Sequence, residues 1–305
     1  MSRPDLYAQI TSRIVADLEK GVRPWFKPWS AANTEGRITR PLRVTGEPYK
    51  GINVLCLWAE AIANGYQSPT WMTLHQANEL GGRVRKGEHG AMSVYADRLR
   101  RTTTNDQGEE IEREIPLLKA YMVFNCEQIE GLPERFYVKP AAKPPAWERD
   151  QRADTFIANT GAEIKHGGGR AFYNRGADRI QTPPAEAFRD REAYYSTLLH
   201  ECCHWSGHPK RLDRAFGKRF GDEYYAGEEL VAEIGSAFLC ADLAMRPEPR
   251  EDVASYVATW LKVLKDDKRA IFVAAAHAQR AADYLHETQT PSRPAPRAGG
   301  QDPAP

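Results

Sequence analysis

The sequence predicts an α+β protein of two domains. Three observations support this prediction: the length of the chain, a proline-rich segment near its middle, and the presence of both helix and strand patterns on each side of that segment. At 305 residues the chain is long enough for two ordinary domains. Three prolines in YVKPAAKPPAW, residues 137–147, favour an extended connection that does not join a core. We therefore expect a first domain over 1–138, a linker over 139–147, a second domain over 148–288 and a disordered tail over 289–305.

Composition narrows the class of protein. Apolar residues at 41% and charged residues at 27% are typical of a globular chain, and no apolar run is long enough to span a membrane. Five cysteines without a C-x-x-C pair, and an N-terminus without a signal-peptide core, predict a cytoplasmic protein with reduced thiols and no membrane partner. Residues 1–100 carry 14 Lys/Arg against 9 Asp/Glu, so the first domain is compatible with a phosphate-bearing partner.

In the first domain, helical patterns precede strand patterns. Apolar residues four apart from Leu6 to Leu18 predict an amphipathic helix that stops at Gly21. Two more helices are predicted in residues 51–65 and 68–82, the second starting at Thr70 or Thr73. Residues 82–96 then read as two short strands around a glycine turn, and a polar hairpin arm and a further strand follow.

In the second domain, short strands separated by glycines precede a largely helical stretch. The segment RIQTPP, residues 179–184, is a candidate edge strand for a substrate because its prolines cannot continue a sheet. The following helix carries the pattern H-E-x-x-H at His200, Glu201 and His204. A small sheet followed by such a helix is the zincin arrangement.

The pattern H-E-x-x-H predicts a metal centre. Residues four apart lie on one face of a helix, so His200 and His204 can bind one tetrahedral Zn²⁺, although Mn²⁺ and Co²⁺ also suit such donors. Glu201 lies one step round the helix and can accept a proton from the attacking water. The competing interpretation is two surface histidines on an amphipathic helix.

A catalytic zinc also needs a third protein ligand. Gly207 fits the metzincin pattern, but Lys210 stands where that pattern requires histidine, which excludes this class. His208 follows a predicted helix end and is the weaker alternative. We favour Glu229 as ligand and Glu233 as acceptor from an imidazole N–H, with Glu228 and Glu233 as alternative ligands.

The sequence also offers donors for a developing oxyanion and contacts for single-stranded DNA. The oxyanion candidates, among which the sequence does not choose, are His208, Tyr224 and Tyr225.

Cations interleaved with aromatic residues are typical of single-strand binding, although proline-flanked aromatics are also common in core-anchoring loops. The DNA-binding candidates are Arg23, Trp25, Phe26, Lys27, Trp29, Tyr49, Lys50, Asn53, Arg83, Arg85 and Lys86.

Several long stretches resemble the ArdC-type antirestriction proteins of conjugative plasmids. In the first domain they are PWFKPW, YKGINVL, TWMTLHQANELGGRVRKGEHG and YMVFNCEQIEGLP. In the second domain they are LLHECCHWSGHPKRLDR and EELVAEIGSAFLC. The first domain is also similar to a domain shared with TraC-type primases. The resemblance implies a single-stranded-DNA-binding domain, a gluzincin-type metallopeptidase domain and protection of incoming DNA from host restriction. It assigns the metal to His200, His204 and Glu229 and the base to Glu201.

The resemblance leaves the protein substrate open, and a host restriction component is one candidate. Two rival functions remain at this point. One is an intracellular zinc metallopeptidase that does not bind DNA. The other is a DNA-binding protein whose metal is purely structural.

Overall fold

The computed structural model describes residues 5–25, 40–104, 110–137, 150–214, 224–247 and 254–289, so the predicted linker and the tail beyond Gln289 lie outside the described residues. The N-terminal elements are α1 (Leu6–Glu19), β1 (Leu42–Arg43), α2 (Ile52–Asn64), β2 (Thr70–Met72), α3 (Leu74–Glu79), β3 (Arg83–Val84), β4 (Ala91–Thr104), β5 (Glu110–Asn125) and β6 (Ile129–Glu130). The C-terminal elements are α4 (Gln151–Asn159), β7 (Glu163–His166), β8 (Phe172–Asn174), β9 (Arg179–Thr182), α5 (Arg191–Ser206), α6 (Tyr224–Asp242), α7 (Ala254–Asp266) and α8 (Ala270–Glu287). The predicted α+β class is confirmed.

The N-terminal strands form a four-stranded sheet in the order β1-β2-β5-β4 and a separate pair, β3 and β6. The two strands predicted in residues 82–96 both exist, but they do not pair with each other. β3 pairs with β6, and β4 pairs along its whole length with β5. α3 starts after Thr73, whose hydroxyl accepts from the Gln76 N–H while the Gln76 side chain accepts from the Thr73 N–H. Thr70 belongs to β2.

The C-terminal sheet has the order β7-β9-β8, with β7 parallel and β8 antiparallel to β9. The predicted edge strand at 179–184 is therefore wrong, because β9 is hydrogen-bonded on both sides and its Ile180 is buried. β8 is an edge strand instead. In the described part of this sheet, β8 is paired on one side only, as β7 is.

The two domains pack against each other through a shared core. Trp58 in α2 contacts Phe238 in α6 with ring centroids 5.9 Å apart. The buried Arg40 donates a hydrogen bond of 2.7 Å to Asp242 at the end of α6. Helix α6 is thus packed against side chains of the first domain. Among the described helices, none has the length and apolar character needed to cross a membrane.

The close packing of α5 on α6 depends on Gly235, where an added Cβ would lie 2.8 Å from the Cys203 Sγ. We expect Gly235→Ala to lower the free energy of unfolding by about 1–3 kcal/mol, because the helices must move apart. Urea unfolding of the metal-free chain measures this cost. Gly169→Ala is the matched control, because open space surrounds Gly169. Equal stabilities of the two variants would contradict the close approach of α5 and α6.

Candidate metal centre

Two packed helices bring three candidate metal ligands together. α5 supplies His200 and His204, and α6 supplies Glu229. The Nε2 atoms of His200 and His204 lie 3.0 Å apart. The Glu229 Oε2 lies 3.4 Å from the His200 Nε2, and the Glu229 Oε1 lies 3.3 Å from the His204 Nε2. One ligand atom from each residue fits within a span of 4.8 Å. Two imidazoles and a carboxylate are the donor set of catalytic zinc sites that keep an open position, so these residues fit a divalent metal ion.

The Nδ1 of His204, the ring nitrogen that faces away from the candidate metal position, contacts the Glu228 carboxylate, and Arg214 in turn binds Glu228. The sequence did not indicate these roles for Glu228 and Arg214. His204 Nδ1 lies 3.2 Å from the Glu228 Oε1, and Arg214 Nε donates to the Glu228 Oε2 at 2.8 Å. The same guanidinium donates to the Cys203 carbonyl at 2.6 Å, which ties it to α5. A carboxylate on the outer nitrogen fixes the tautomer and the orientation of a metal-binding imidazole. Glu228 is thus placed to orient a ligand, whereas the sequence suggested it only as an alternative ligand.

Glu233 occupies the corresponding place beside His200. Its Oε1 lies 3.7 Å from the His200 Nδ1, and both residues are buried. Glu233 was predicted to accept a hydrogen bond from an imidazole N–H, and it lies beside the His200 ring. The distance is longer than a hydrogen bond, so the contact is mainly electrostatic.

The charges around His204 favour its protonated form while no metal is bound. Burial opposes a charge on the ring, but Glu228 and Glu229 outweigh burial and raise the pKa of His204 to about 10. Burial also opposes the charge of Glu228, yet Arg214 and His204 lower its pKa to about 2. The two histidines hold the pKa of Glu229 well below its usual range, again against the effect of burial. Glu228 and Glu229 are therefore ionised at neutral pH.

These pKa shifts predict that metal binding releases a proton. The His204 ring carries a proton below about pH 10 and must lose it to bind a metal. We expect about one proton to be released per ion near pH 7, and the apparent affinity to rise about tenfold per pH unit between about pH 6 and 8. Titration calorimetry with Zn²⁺ in two buffers of different ionisation enthalpy measures this release. A pH-independent affinity without proton release would contradict the prediction.

A cleft of about 240 Å³ gives access to the site. Glu201, the acidic residue of the H-E-x-x-H motif, lines this cleft together with His204 and Glu229, and its side chain is buried. Edge strand β8 forms part of the opposite wall. Tyr225, 62% exposed, lies in the cleft with its ring 5.8 Å from that of Tyr256. The cleft is therefore lined by Glu201, by two of the three candidate metal ligands and by residues of β8.

The other candidate oxyanion donors are placed less favourably. α5 ends at Ser206, and the His208 Nδ1 lies 3.9 Å from Asp178 instead of joining the metal-binding cluster. The Tyr224 side chain lies outside the described residues. Gly207, which first suggested a metzincin, has a packing role, because an added Cβ would lie 2.6 Å from the Arg214 guanidinium. Tyr225 is thus the predicted donor that the structure places in the cleft.

Three predicted DNA-binding residues in the first domain have structural contacts instead. The Trp25 and Tyr49 rings are buried in the core, so neither presents a face on which a base could stack. Asn53 donates to the Val94 carbonyl at 2.7 Å and accepts from its N–H at 2.8 Å. These three assignments are corrected accordingly. Proline-flanked aromatics and a helix-end asparagine serve a core equally well, and the local pattern does not distinguish the two uses.

Other candidates remain at the surface. Arg83, Arg85 and Lys86 are exposed around one turn, with Arg85 paired to Glu88 at 2.8 Å. Lys50 is also exposed and lies 3.3 Å from Asp283. The predicted contacts Phe26, Lys27 and Trp29 lie outside the described residues.

Arg23 contacts the second domain. Its Nη1 lies 3.7 Å from the Glu233 Oε2, at the metal centre. The guanidinium is directed toward the second domain, and the assignment of Arg23 as a DNA contact stays a prediction.

Sequence reasoning missed an aromatic pair on the N-terminal sheet. Tyr95, 45% exposed, lies on β4 with its ring 5.9 Å from that of Tyr121 on β5. The Lys119 Nζ lies 5.6 Å from the Tyr95 ring. Tyrosine and lysine on alternate positions of β5 are the signal that could have indicated this surface.

Both halves of the chain match known domain families. Residues 4–124 match the N-terminal domain of anti-restriction factor ArdC, and residues 151–277 match a zincin-like metallopeptidase. The uncharacterized protein y4eC of Sinorhizobium fredii is 41% identical over 292 residues, which cover 94% of this chain and 93% of that protein. The DNA primase TraC of Escherichia coli is 38% identical over 92% of this chain, which spans only 27% of the primase.

Two crystal structures of the antirestriction ArdC protein from the R388 plasmid are similar to the whole chain. The metal-free structure is 46% identical with a TM-score of 0.81, and it covers 94% of this chain and 98% of its own. The Mn(II)-bound structure is 43% identical with a TM-score of 0.76, and it covers 95% and 100%. With both domain families matched in order and this identity over nearly the full length, the chain belongs to the family of ArdC-type antirestriction proteins.

Proposed function

We propose that this protein binds single-stranded DNA, cleaves a protein substrate at a divalent metal centre and thereby protects incoming plasmid DNA from restriction. The observation that carries the enzymatic part is the convergence of His200, His204 and Glu229 next to a cleft that His204, Glu229 and Glu201 line. The Mn(II)-bound form of the R388 relative supports a divalent metal here, with Zn²⁺ as the default for this donor set and Mn²⁺ as an alternative.

The residues of the cleft suit the hydrolysis of a peptide bond. A divalent ion held by the three ligands would act as a Lewis acid and lower the pKa of water. The Glu201 carboxylate accepts the proton of the attacking water and passes it to the leaving amine. The Tyr225 hydroxyl donates a hydrogen bond to the developing oxyanion. An extended peptide that pairs with β8 would present its backbone to these groups.

The DNA-binding part is supported by two surfaces of the first domain. Arg83 and Lys86 offer cations to phosphates, and the exposed ring of Tyr95 beside Lys119 offers a face to a base. The similarity to an N-terminal domain of ArdC and to part of a DNA primase supports the same partner. Protection would take place in the cytoplasm of the recipient, where transferred DNA meets restriction enzymes.

Salt dependence tests the DNA-binding surface. We expect the full chain to bind labelled single-stranded oligonucleotides more weakly as salt increases, and Lys86→Ala to reduce the slope of log K against log salt by about 0.7 because one phosphate contact is lost. Fluorescence anisotropy across a salt series measures both quantities. Lys165→Ala, an exposed lysine of the second domain, is the matched control. A slope that Lys86→Ala leaves unchanged would remove this residue from the interface.

Plasmid transfer tests the biological role. Conjugation into matched restricting and non-restricting recipients is measured with the parent, with Glu201→Gln and with a null plasmid. The proposal predicts that the parent raises transfer only into the restricting recipient and that Glu201→Gln loses this advantage. An equal advantage with Glu201→Gln would show that peptide cleavage is not needed for protection.

A further inference from the structure

The metal centre receives a contact from the first domain. After α1 the chain turns at Gly21, whose φ of +76° lies in the left-handed region. Two residues later, Arg23 reaches α6, where its Nη1 lies 3.7 Å from the Glu233 Oε2. The Arg23 side chain is 19% exposed and that of Glu233 is 6% exposed, so the ion pair is largely shielded from solvent.

Glu233 stands between this arginine and a metal ligand. Its other oxygen, Oε1, lies 3.7 Å from the His200 Nδ1. A buried carboxylate is costly unless a positive group compensates its charge. Arg23 supplies that charge from the first domain while Glu233 faces the imidazole.

The neighbouring Trp25 fixes the segment against the same helix. Its ring is fully buried and meets the Trp260 ring edge-on at 6.1 Å. Trp260 Nε1 donates to the Ala226 carbonyl at 2.7 Å, in the first turns of α6 and shortly before Glu229. The backbone that carries Arg23 is therefore held in place relative to the metal-binding helix.

Each histidine has a carboxylate and an arginine behind it, although the contacts behind His200, at 3.7 Å, are longer than the hydrogen bonds behind His204. His204 is backed by Glu228 and Arg214 within the second domain. We propose that Arg23 is a positioning residue of the metal centre, which holds Glu233 in place so that this carboxylate orients His200. This inference rests on the proposed metal binding. It gives the first domain a direct part in building the metal site.

Metal affinity of full-length variants tests the inference. Zn²⁺ dissociation constants are measured by competition with a chromophoric chelator for the parent, Arg23→Ala, Arg23→Lys and Glu233→Gln. We expect Arg23→Ala to weaken binding about 10-fold or more, as loss of an outer partner of a metal ligand does. Arg23→Lys keeps the charge and should recover most of the affinity. Arg43→Ala is the control, since that exposed arginine lies over the Tyr49 ring instead.

A double-mutant cycle and a spectrum separate positioning from general destabilisation. If Arg23 acts through Glu233, Arg23→Ala combined with Glu233→Gln weakens binding no more than the stronger single variant. The visible absorption of the Co²⁺-loaded protein should change in Arg23→Ala and return in Arg23→Lys. Urea unfolding in EDTA identifies any variant that fails to fold. If Arg23→Ala fails to fold, the Zn²⁺ affinities of Arg23→Lys and Glu233→Gln test the role of Arg23 instead.

The outcomes distinguish this inference from the proposed function. Parent protein that binds no divalent metal would overturn both. If the parent binds Zn²⁺ and Arg23→Ala has the same affinity and the same Co²⁺ spectrum as the parent, only the role of Arg23 is overturned. Additive losses in the double variant would likewise show that Arg23 does not act through Glu233.

Discussion

Replacing Glu229 with alanine is expected to remove measurable metal binding while the chain stays folded. The change deletes one of three ligands and the negative charge that lies 3.4 Å or less from both histidine Nε2 atoms. The loss of affinity should exceed the roughly 10–100-fold that follows the removal of an outer partner such as Glu228. Chelator competition with Zn²⁺ gives the affinity, and elemental analysis after dialysis gives the metal content.

The matched control for Glu229→Ala is the same substitution at a glutamate outside the metal centre. Glu163→Ala provides it, because this side chain on β7 is 68% exposed and pairs only loosely with Arg179 at 3.5 Å. We expect this control to bind metal as the parent does. If Glu229→Ala retained the parent affinity, a different residue would be the third ligand, and Glu228 and Glu233 would be examined next.

Replacing Glu201 with glutamine is expected to separate metal binding from catalysis. Glutamine keeps the size of the side chain but cannot accept a proton, so the rate of peptide cleavage should fall by about 10²–10⁴-fold. The metal content should stay at the parent value, since Glu201 does not belong to the group of ligands that converge. The rate is measured with a mixed peptide library, analysed by mass spectrometry.

Two results would change the assignment of Glu201. Loss of the metal in Glu201→Gln would make this residue a ligand. An unchanged cleavage rate would mean that another group removes the proton from water. Glu163→Gln serves as the control for both measurements, because its change in charge lies outside the cleft.

The convergence of the candidate metal ligands could be predicted in part because the spacing of the two histidines is a local property. A spacing of four places His200 and His204 on one face of a helix whatever the rest of the chain does. The position of Glu229 on a second helix was inferred from its carboxylates and small neighbours, and the packing of α5 on α6 brings it to the two histidines. Arg214 carried no comparable signal, since its contact with Glu228 depends on how the chain turns after α5.

Predictions that depended on distant partners were less successful. Trp25 looked like a base-stacking residue because a cation stands near it, but its surroundings are decided by Trp260, more than two hundred residues away. β9 looked like an edge strand because prolines follow it, although β7 and β8 pair with it before those prolines. Burial and strand order are properties of the tertiary fold, and neighbouring residues specify them only weakly.

Anomalous diffraction from crystals of the full chain soaked in Mn²⁺ tests the central claim most directly. That claim is that His200, His204 and Glu229 together bind one divalent ion beside Glu201. It predicts a single strong anomalous peak in the cleft, within about 2.0–2.3 Å of one atom from each of the three side chains. A peak elsewhere on the chain, or no peak in the cleft at saturating Mn²⁺, would contradict it.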